Sequence, residues 1–242
     1  MSKTILLDDK SVHCDQCMSN HLCMPAGLSA QETEKLTELV KERIRISKNQ
    51  TLFTSGSPFT AIYSVRSGSM KTQLESEDGH IQITNFSLPG ELVGLDGIAT
   101  QVHSSSAVAL EDSEVCVIRL EDLDKLSKSI PALQAQLRHL MGNEINRSHR
   151  MALTLGSLKS EQRVAAFILN MVDRLGQLGY SSTEFVLRMT REEIGIYLGL
   201  TLETVSRLLS RFAREGLIEI QQREVKILDR NGLQALVKKV ES

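Results

Sequence analysis

The sequence predicts an α+β protein, and three observations support this fold class. Residues 51–120 contain short runs rich in Val, Ile, Thr, Phe and Tyr with glycines between them, which is typical of a small antiparallel sandwich or roll. Pro131 opens a helical pattern of about 25 residues. The region after residue 190 has the pattern of two helices followed by a hairpin. The composition, 41% hydrophobic and 24% charged, excludes disordered and collagen-like chains.

Charge limits the partners that the chain can attract. The sequence has 28 Lys and Arg against 30 Asp and Glu, so a net charge of −2 provides no general attraction to nucleic acid or to an anionic membrane. Residues 1–156 contain 15 basic and 19 acidic side chains, whereas residues 157–242 contain 13 and 11, so phosphate contact is expected in the C-terminal part. With no Trp and 4% aromatic residues, base stacking on single strands is disfavoured.

The sequence carries no signal for a membrane span or a secretory leader. No apolar run approaches the ~20 residues of a span, and charges interrupt residues 1–10, where a leader is apolar. We therefore expect a cytoplasmic chain with no membrane partner. In such a chain, four cysteines are more typical of metal ligands or redox groups than of disulfides.

The segment before the roll is predicted to be a loop followed by a helix. Residues 1–27 are irregular in pattern and contain three of the four cysteines. Ser29 can cap a helix, and apolar residues recur behind it at helical spacing. These residues are Leu36, Leu39, Val40 and Ile44.

Six short strands are predicted in the roll. They span residues 51–53, 62–65, 70–74, 81–86, 105–110 and 115–120. Glycines lie between or beside these strands, where tight turns favour a residue without a Cβ. The glycines are Gly56, Gly68, Gly79, Gly90, Gly94 and Gly97.

The helix after Pro131 has a seam whose residues are spaced four and three apart, as in a coiled coil. The seam consists of Met141, Ile145, Ser148, Ala152 and Leu155. No loop signal interrupts the helix before Gly156, and one small domain covers a helix of this length poorly. We therefore favour a dimer interface with a second copy of the chain; the alternative is a core helix packed on the roll. Ser148 is a polar seam position of the kind that fixes register at a cost in stability.

The C-terminal region predicts a helix-turn-helix. Its first helix is expected over residues 191–198, with Thr190 as the N-cap and Glu193 at the capping-box position. Gly199 ends this helix in a tight turn. The small Gly195 allows the two helices to approach closely.

The second helix, capped by Thr201, separates an apolar face from a polar one. The apolar face consists of Val205, Leu208, Leu209 and Phe212, and the polar face of Ser206, Arg207, Ser210, Arg211 and Arg214. Three arginines on one face repel one another unless they meet an anion. This favours DNA binding over the alternative, an amphipathic helix pair whose arginines face water. Residues 217–220 and 225–228 form a predicted hairpin, which completes a winged helix.

Position assigns roles to the polar residues of this helix. Glu203, Ser206 and Arg207 occupy the first turns, where a recognition helix meets base edges in the major groove. Arg can bind guanine O6 and N7 together, and Glu can accept from cytosine N4. Arg211 and Arg214 lie further along and are predicted to contact phosphates.

The cysteines form a candidate four-ligand site. Cys14, Cys17 and Cys23 have the spacing C-x2-C-x5-C, and Cys116 lies in a distant strand-like run. Thiolates select zinc, copper(I) or an iron–sulfur cluster. Zinc sites usually have two short Cys-x-x-Cys pairs, which this chain lacks, whereas four cysteines also suit a [4Fe–4S] cube. Spacing alone does not choose between cluster and zinc, and Cys116 by itself is also compatible with a small buried hydrophobe.

Together these motifs resemble the CRP/FNR family of bacterial transcription regulators, specifically its oxygen-responsive FNR-like branch. Besides the cysteines, the resemblance rests on IYSVRSGSMKT (62–72), PGELVGLDGI (89–98) and YLGLTLETVSRLLSRF (197–212), and it covers nearly the whole chain. It implies that the roll is a double-stranded β-helix, a jelly roll like those that bind cyclic nucleotides. It also implies four segments. These are a cluster-binding loop (1–27), a sensor domain (28–128), a dimerisation helix (129–156) and a winged helix-turn-helix domain (157–242).

The resemblance further implies a mechanism. The cysteines would hold a [4Fe–4S] cluster in the oxygen-free cell, and molecular oxygen would convert it to [2Fe–2S], weakening the homodimer and its binding to DNA. The family's E-x-x-S-R signature matches Glu203, Ser206 and Arg207, so base readout carries over to these three residues. The expected operator is a palindrome of the TTGAT-N4-ATCAA type, and RNA polymerase is the expected second partner.

Two departures from the family pattern lead to further expectations. The cyclic-AMP-binding branch has an Arg-Ser pair after its Gly-Glu-Leu motif, but residues 102–106 (VHSSS) supply no arginine. We therefore expect no cyclic-nucleotide binding. Many FNR-like members have an acidic residue where this chain has Ser148, so we expect a tighter apo dimer and residual DNA binding in air.

Three rival functions stay open from the sequence. One is a CRP-like regulator that answers another effector, and a second is a DNA-binding regulator with structural zinc. The third is an iron–sulfur redox protein, which leaves the helix-turn-helix without a role. The sequence contains no catalytic motif of the Ser-His-Asp or paired-carboxylate type, so we do not expect an enzyme.

Overall fold

A computed structural model describes residues 3–6, 13–40 and 42–238 of the chain. Parts of the predicted first and last segments (1–2, 7–12 and 239–242) therefore lie outside the described residues. The chain forms two compact units, residues 1–146 and 147–242.

The N-terminal unit combines short antiparallel strands with one helix near its start and two helices near its end. The strands are β1 (Lys3–Leu6), β2 (Glu42–Ile46), β3 (Thr51–Phe53), β4 (Ile62–Ser67), β5 (Met70–Glu75), β6 (Ile81–Ser87), β7 (Leu92–Val93), β8 (Ser106–Ala109) and β9 (Ser113–Ile118). The helices are α1 (Ala30–Leu39), α2 (Leu120–Ser129) and α3 (Pro131–Ser157), which continues into the second unit. Single 3-10 turns lie at Cys14–Gln16 and Leu95–Gly97.

These strands form two sheets, with the orders β1-β2-β9-β4-β7 and β3-β8-β5-β6. Residues from both sheets share one apolar core, which includes Ile46, Tyr63 and Val115 from the first sheet and Phe53 and Met70 from the second. Burial of this shared core is the main free-energy gain of the roll. The predicted antiparallel roll and the α+β fold class are confirmed.

The first sheet is covered on both faces, and strand β9 shows how. Val115 and Val117 belong to the core inside the roll, whereas Ile118 belongs to a second core outside it. Successive side chains of a strand point to opposite faces, so Cys116 lies on the outer face with Ile118. Leu36, Leu123 and Leu133 bring α1, α2 and the start of α3 into this second core.

The placement of Ile44 in a helix is wrong. Helix α1, capped by Ser29 as predicted through a capping box with Glu32, ends at Leu39. Ile44 lies in β2, where it pairs with Val115 of β9. The sequence 42–46 (ERIRI) alternates polar and apolar residues, and this period of two fits a half-buried strand better than a helix.

Other differences concern element boundaries. Strand β3 begins and ends as predicted, but β9 starts at Ser113 and ends at Ile118, because helix α2 begins at Leu120. The cysteine segment, predicted to be irregular, also contains strand β1, which pairs with β2.

The start of helix α3 is a core helix packed on the roll, which is the alternative to the dimer interface that the sequence favours. Leu133 near its start is fully buried in the second core, and Leu137 and Leu140 pack against that core. The predicted seam behaves differently: Met141 and Leu155 are half-buried, whereas Ile145, Ser148 and Ala152 are exposed. Ile145 is 56% exposed and Leu153, which the seam pattern did not include, is 64% exposed.

The C-terminal unit is a winged helix-turn-helix. After α3 it contains α4 (Ser160–Gln177), β10 (Glu184–Val186), α5 (Arg191–Leu198), α6 (Leu202–Arg214), β11 (Ile218–Gln221), β12 (Glu224–Ile227) and α7 (Arg230–Lys238). The predicted hairpin is β11 and β12, shifted by one residue in each strand. A third strand, β10, pairs with β12, and neither β10 nor the helices α4 and α7 were predicted. Among the described residues, no helix is long and apolar enough to span a membrane.

Candidate cysteine site and nucleic-acid interface

The outer face of the first sheet carries a row of polar and sulfur-containing side chains. In the sheet register, Cys116 of β9 pairs with Arg43 of β2 on one side and with Ser64 of β4 on the other. Paired residues have their side chains on the same face, so the three form one row across the sheet. Arg66, two residues beyond Ser64 on the same strand, lies on this face as well.

The N-terminal loop folds over this row and brings the other three cysteines to it. Cys14, Cys17, Cys23 and Cys116 all line one small cavity, together with Arg43 and Ser64 among others. Cys23 Sγ lies 3.0 Å from Ser64 Oγ, which joins the loop directly to the sheet. The sequence prediction that the triplet and Cys116 form one group therefore agrees with their positions in the fold.

Two further hydrogen bonds fix the loop. The backbone N–H of Cys14 donates to Thr37 Oγ1 of helix α1 at 3.3 Å. Gln136 Nε2 of helix α3 donates to the carbonyl oxygen of Cys23 at 3.0 Å. Met24, next to Cys23, is buried in the same core as Leu133 of α3. The cysteine loop and the start of α3 are therefore parts of one packed structure.

Burial favours the protonated form of the Cys14, Cys23 and Cys116 thiols by raising the pKa of each. It raises the pKa of Cys23 from 9.0 to about 11 and that of Cys116 to about 12, and it also raises the pKa of Cys14. The hydrogen bond between Ser64 and Cys23 and the charge of Arg43 near Cys116 lower the pKa of the two thiols, but burial outweighs them. A metal centre binds thiolates, so loading the site has to release protons and is favoured as pH rises.

The described residues contain no group of three His, Cys, Asp or Glu side chains arranged around a point where one metal ion could sit. A single zinc ion needs four sulfur atoms within about 2.3 Å of one centre. In an iron–sulfur cube each cysteine binds a different iron, so the four sulfur atoms stand further apart. The cavity has a volume of about 30 Å³, room for about one or two water molecules.

Charged groups surround the same cavity. Glu114 of β9 accepts hydrogen bonds from three guanidinium groups: Arg43 at 3.0 Å, Arg45 at 3.1 Å and Arg66 at 2.7 Å. Burial of Glu114 opposes its ionisation, but Arg66 and Arg45 outweigh this and lower its pKa. The three arginines and Glu114 together carry a net positive charge. This charge suits an anionic ligand set of thiolates.

The nucleic-acid interface is built locally. Thr190 Oγ1 accepts from the N–H of Glu193 in the predicted capping box, and Gly199 ends α5 in the left-handed conformation with φ +63°. A Cβ at Gly195 would lie 2.6 Å from the carbonyl oxygen of Leu200. Gly195 is therefore required by the turn backbone itself rather than by the second helix, which the sequence analysis had expected it to contact.

Helix α6 has the predicted faces. Its four apolar residues, Val205, Leu208, Leu209 and Phe212, are all buried. On the other side Glu203, Arg207 and Arg214 are exposed, and Ser206 is half-exposed. Arg207 and Arg214 form no ion pair with any described residue, so both remain available to an anionic partner.

Arg211 differs from its neighbours. Its guanidinium donates to Glu215 Oε1 and to Glu161 Oε2 of helix α4, each at 2.7 Å. These bonds tie α6 to α4 and neutralise much of the charge. Sequence reasoning missed this role, as it missed Arg43, Ser64 and Gln136 at the cysteine site. No local signal marks Arg43 or Ser64, because Arg43 shares its strand face with Arg45 and Ser64 shares its face with Arg66.

Comparison with known proteins matches both units. Residues 43–129 match the cyclic nucleotide-binding domain and residues 162–236 match the Crp-like helix-turn-helix domain. The chain is 59% identical to the transcriptional regulatory protein btr of Bordetella pertussis, over 98% of each chain. It is 42% identical to the fumarate and nitrate reduction regulatory protein of Salmonella typhimurium, over 93% of this chain and 90% of that one.

The chain belongs to the CRP/FNR family of transcription regulators. The predicted family is thus confirmed, and the helix-turn-helix of this family member is a DNA-binding domain. Among solved structures, FixK2 of Bradyrhizobium japonicum has a TM-score of 0.75 at 29% identity, covering 82% of this chain and 98% of that one. The roll and the winged helix described above are therefore the architecture of the CRP/FNR family.

Proposed function

We propose that this CRP/FNR-family protein is an oxygen-responsive regulator of anaerobic gene expression that acts as a homodimer on DNA. Relatives support this function: besides the Salmonella protein, anaerobic regulatory proteins of Haemophilus influenzae and Pasteurella multocida are each 44% identical to it. The proposed division into segments 1–27, 28–128, 129–156 and 157–242 assigns cluster binding, sensing, dimerisation and DNA binding in that order.

The observation that carries the proposal is the convergence of the four thiols. Cys116 reaches the cavity only through the register of β9, yet it meets the three cysteines of the N-terminal loop there. We assign Cys14, Cys17, Cys23 and Cys116 as ligands of a [4Fe–4S] cluster. When bound, such a cluster supplies a cofactor that molecular oxygen can dismantle.

The residues around the loop provide a route from the cluster site to the dimer. Gln136 holds the carbonyl oxygen of Cys23, and Met24 packs in the core that contains Leu133. A change in the loop therefore acts directly on the start of α3. The proposed dimer interface is the seam further along this helix, Met141, Ile145, Ser148, Ala152 and Leu155, on which the apolar Ile145 is 56% exposed. A coupling free energy of ~1–3 kcal/mol is typical of such switches.

DNA recognition is assigned to helix α6. Glu203, Ser206 and Arg207 are proposed to read base edges, and Arg214 to contact a phosphate. Arg211 is proposed to contact phosphate only secondarily, because two carboxylates already hold its guanidinium. A twofold dimer presents two such helices about one helical turn apart, so the operator is a palindrome. The family resemblance implies that its sequence is of the TTGAT-N4-ATCAA type.

The remaining partners follow from the same proposal. RNA polymerase is the second macromolecular partner of the DNA-bound dimer, and the protein acts in the cytoplasm. We do not assign a cyclic nucleotide as ligand, because residues 102–106 (VHSSS) supply no arginine and the N–H groups of Ser104 and Ser105 donate to the chain's own Asp96. As a transcription regulator, the protein has no enzymatic activity to assign.

Anaerobic reconstitution of the full chain with iron and sulfide tests the proposal. We expect four irons per chain, a brown visible spectrum, a dimer in sedimentation and tight binding to the palindromic operator. Exposure to air should bleach the spectrum and weaken operator binding by about 5–150-fold. Colourless, zinc-loaded protein, or operator binding that is equal with and without oxygen, would contradict the proposal.

A further inference from the structure

Arg43 is the buried charged residue beside the cysteine cavity whose hydrogen bonds are incomplete. Its side chain is 5% exposed, and one of its terminal nitrogens donates to Glu114 Oε1 at 3.0 Å. Its Nε–H is buried and has no hydrogen-bond partner among the described residues. A buried donor without an acceptor is costly, so such a group calls for a partner that the chain alone does not supply.

The position of Arg43 limits what that partner can be. Arg43 lines the cavity of the four thiols and is the cross-strand neighbour of Cys116. Its terminal nitrogen is already held by Glu114, which fixes the guanidinium in place. The cavity also offers hydroxyl oxygens such as that of Ser64, but the thiolates of the four cysteines, or the sulfides of a bound cluster, are its anionic acceptors for the Nε–H.

Charge favours the same conclusion. Four thiolates bring four negative charges to this cavity when they bind iron. Glu114 is shared by Arg43, Arg45 and Arg66, so it neutralises only part of their positive charge. Arg45 is 68% exposed and does not line the cavity, whereas buried Arg43 does. Arg66 lines the cavity too, but its side chain is 36% exposed. Arg43 is thus the buried guanidinium at the site, where a low-dielectric surrounding strengthens the effect of its charge.

We propose that Arg43 is a positioning and tuning residue of the cluster, whose Nε–H donates to a sulfur atom and whose charge stabilises the more reduced cluster. This inference rests on the proposed function, because it requires a cluster in the cavity. Hydrogen bonds to sulfur and local net charge are among the factors that set the reduction potential of iron–sulfur clusters. Removing Arg43 should therefore lower the potential and make the cluster easier to oxidise.

The chain provides a matched control for this proposal. Arg45 lies on the same strand and donates to the same carboxylate, but its side chain is exposed to solvent. Arg45→Gln removes one positive charge beside Glu114, as Arg43→Gln does, but at a residue that does not line the cavity. Arg43→Gln removes both the charge and the donor, and Arg43→Lys keeps the charge but lacks the Nε–H.

The experiment is an anaerobic redox titration of the reconstituted full chain with dithionite, followed by the visible and paramagnetic signals of the cluster. At the wild-type midpoint, Arg43→Gln should lower the ratio of reduced to oxidised cluster at least tenfold, which corresponds to 59 mV for a one-electron couple. Arg43→Lys should lower it less, and Arg45→Gln should leave it within twofold. Resonance Raman bands of the Fe–S(Cys) bonds should move in both Arg43 variants and not in Arg45→Gln.

Each outcome decides the proposal. Equal titrations of Arg43→Gln and Arg45→Gln at equal iron content would overturn it while leaving the proposed function intact. A wild-type chain that takes up no iron would overturn both. If neither Arg43 variant binds a cluster, the melting temperatures of the cluster-free proteins decide. Variants that melt at the wild-type temperature would support a role of Arg43 in holding the cluster. Apo proteins that are unfolded would show a structural role only, and the proposal would fail.

Discussion

The recognition helix and the cysteine site are built in opposite ways. Within residues 190–214, each cap, turn and face depends on residues a few positions apart, such as Thr190 with Glu193 and Gly195 with Leu200. The cysteine site instead joins a loop at residues 14–23 to three strands, and Cys116 enters it through pairing with Arg43 and Ser64. One region is specified locally and the other by sheet register.

This difference predicts how the two regions respond to change. A one-residue shift in the register of β9 would move Cys116 from the cavity to the core inside the roll. A local motif has no comparable weakness, because its contacts form within one stretch of chain. The cysteine site should therefore be lost as a whole when one member is removed, whereas the helix should lose function residue by residue.

The largest expected effect is loss of the cluster in Cys116→Ala. A cluster with three ligands exposes an iron to solvent, so we expect less than half of the wild-type iron after anaerobic reconstitution and more than tenfold weaker operator binding. Iron analysis and fluorescence anisotropy with labelled operator measure both quantities. Cys116→Val is the informative companion, since a merely hydrophobic role would be preserved by valine; retention of iron in Cys116→Val would show that Cys116 is not a ligand.

Arg207→Ala should have the next largest effect. Loss of a bidentate contact to a base costs about 1–3 kcal/mol, and the dimer loses it in both half-sites. We expect preference for the palindrome over a mutated operator to fall, measured as the ratio of the two dissociation constants. Arg214→Ala is the control: as a phosphate contact it should weaken both DNAs alike and reduce the salt dependence. If Arg207→Ala weakened both DNAs alike and Arg214→Ala reduced the preference for the palindrome, Arg214 would be the base contact and Arg207 the phosphate contact.

Gly195→Ala tests the local packing of the helix-turn-helix. The new Cβ would meet the Leu200 carbonyl oxygen at 2.6 Å, so the free energy of unfolding should fall by about 1–3 kcal/mol. Urea unfolding measures the change. Gly176, in helix α4 of the same unit, is the control, because the nearest atom to a Cβ built there is 3.9 Å away. Gly176→Ala should therefore leave the free energy of unfolding unchanged or raise it slightly. Equal effects of the two substitutions would show that the turn can relax.

Ser148→Asp tests the helix that joins the two regions in sequence. Two carboxylates facing each other across the seam repel, so the aerobic dimer should dissociate about tenfold more readily, equivalent to about 1.4 kcal/mol. Sedimentation at micromolar concentration measures this. Asn143→Asp adds the same charge away from the seam and should have little effect. A wild-type protein that is purely monomeric in air would contradict the tighter apo dimer expected from serine.

Asp96→Asn should have the smallest effect, and it depends on pH. Burial opposes ionisation of Asp96, but hydrogen bonds from His103 and Ser105 outweigh it and lower the pKa below 3.8. A carboxylate with a lowered pKa stabilises the fold above its unfolded value and loses this contribution as pH falls through the folded value. We therefore expect Asp96→Asn to cost about 1 kcal/mol at pH 7 and less at pH 3.

Urea midpoints at the two pH values measure that difference. Exposed Asp78 in the turn between β5 and β6 is the control, and Asp78→Asn should change neither midpoint. A gap between wild type and Asp96→Asn that is as large at pH 3 as at pH 7 would contradict the assignment.

How far the sequence predicted the structure depends on the range of the interactions. Helix α5 and the start of α6 follow the predicted caps, because capping and helical periodicity are set by neighbours in sequence. Ile44 was misplaced because its apolar spacing from Val40 fits a helix as well as a strand, and only its pairing with Val115 decides between them. Arg211 was read as a phosphate contact because Glu161, its partner, is fifty residues away.

The sequence by itself determined the α+β class, the antiparallel sandwich or roll, the amphipathic recognition helix and the identity of the four cysteines, because each is a property of composition or of a short pattern. Only the tertiary structure decided that Cys116 stands between Arg43 and Ser64, that Gln136 holds the cysteine loop and that Arg43 is buried with an unused donor. The physical reason is that sheet register and packing bring together side chains far apart in the chain, and no local pattern records which of them will meet.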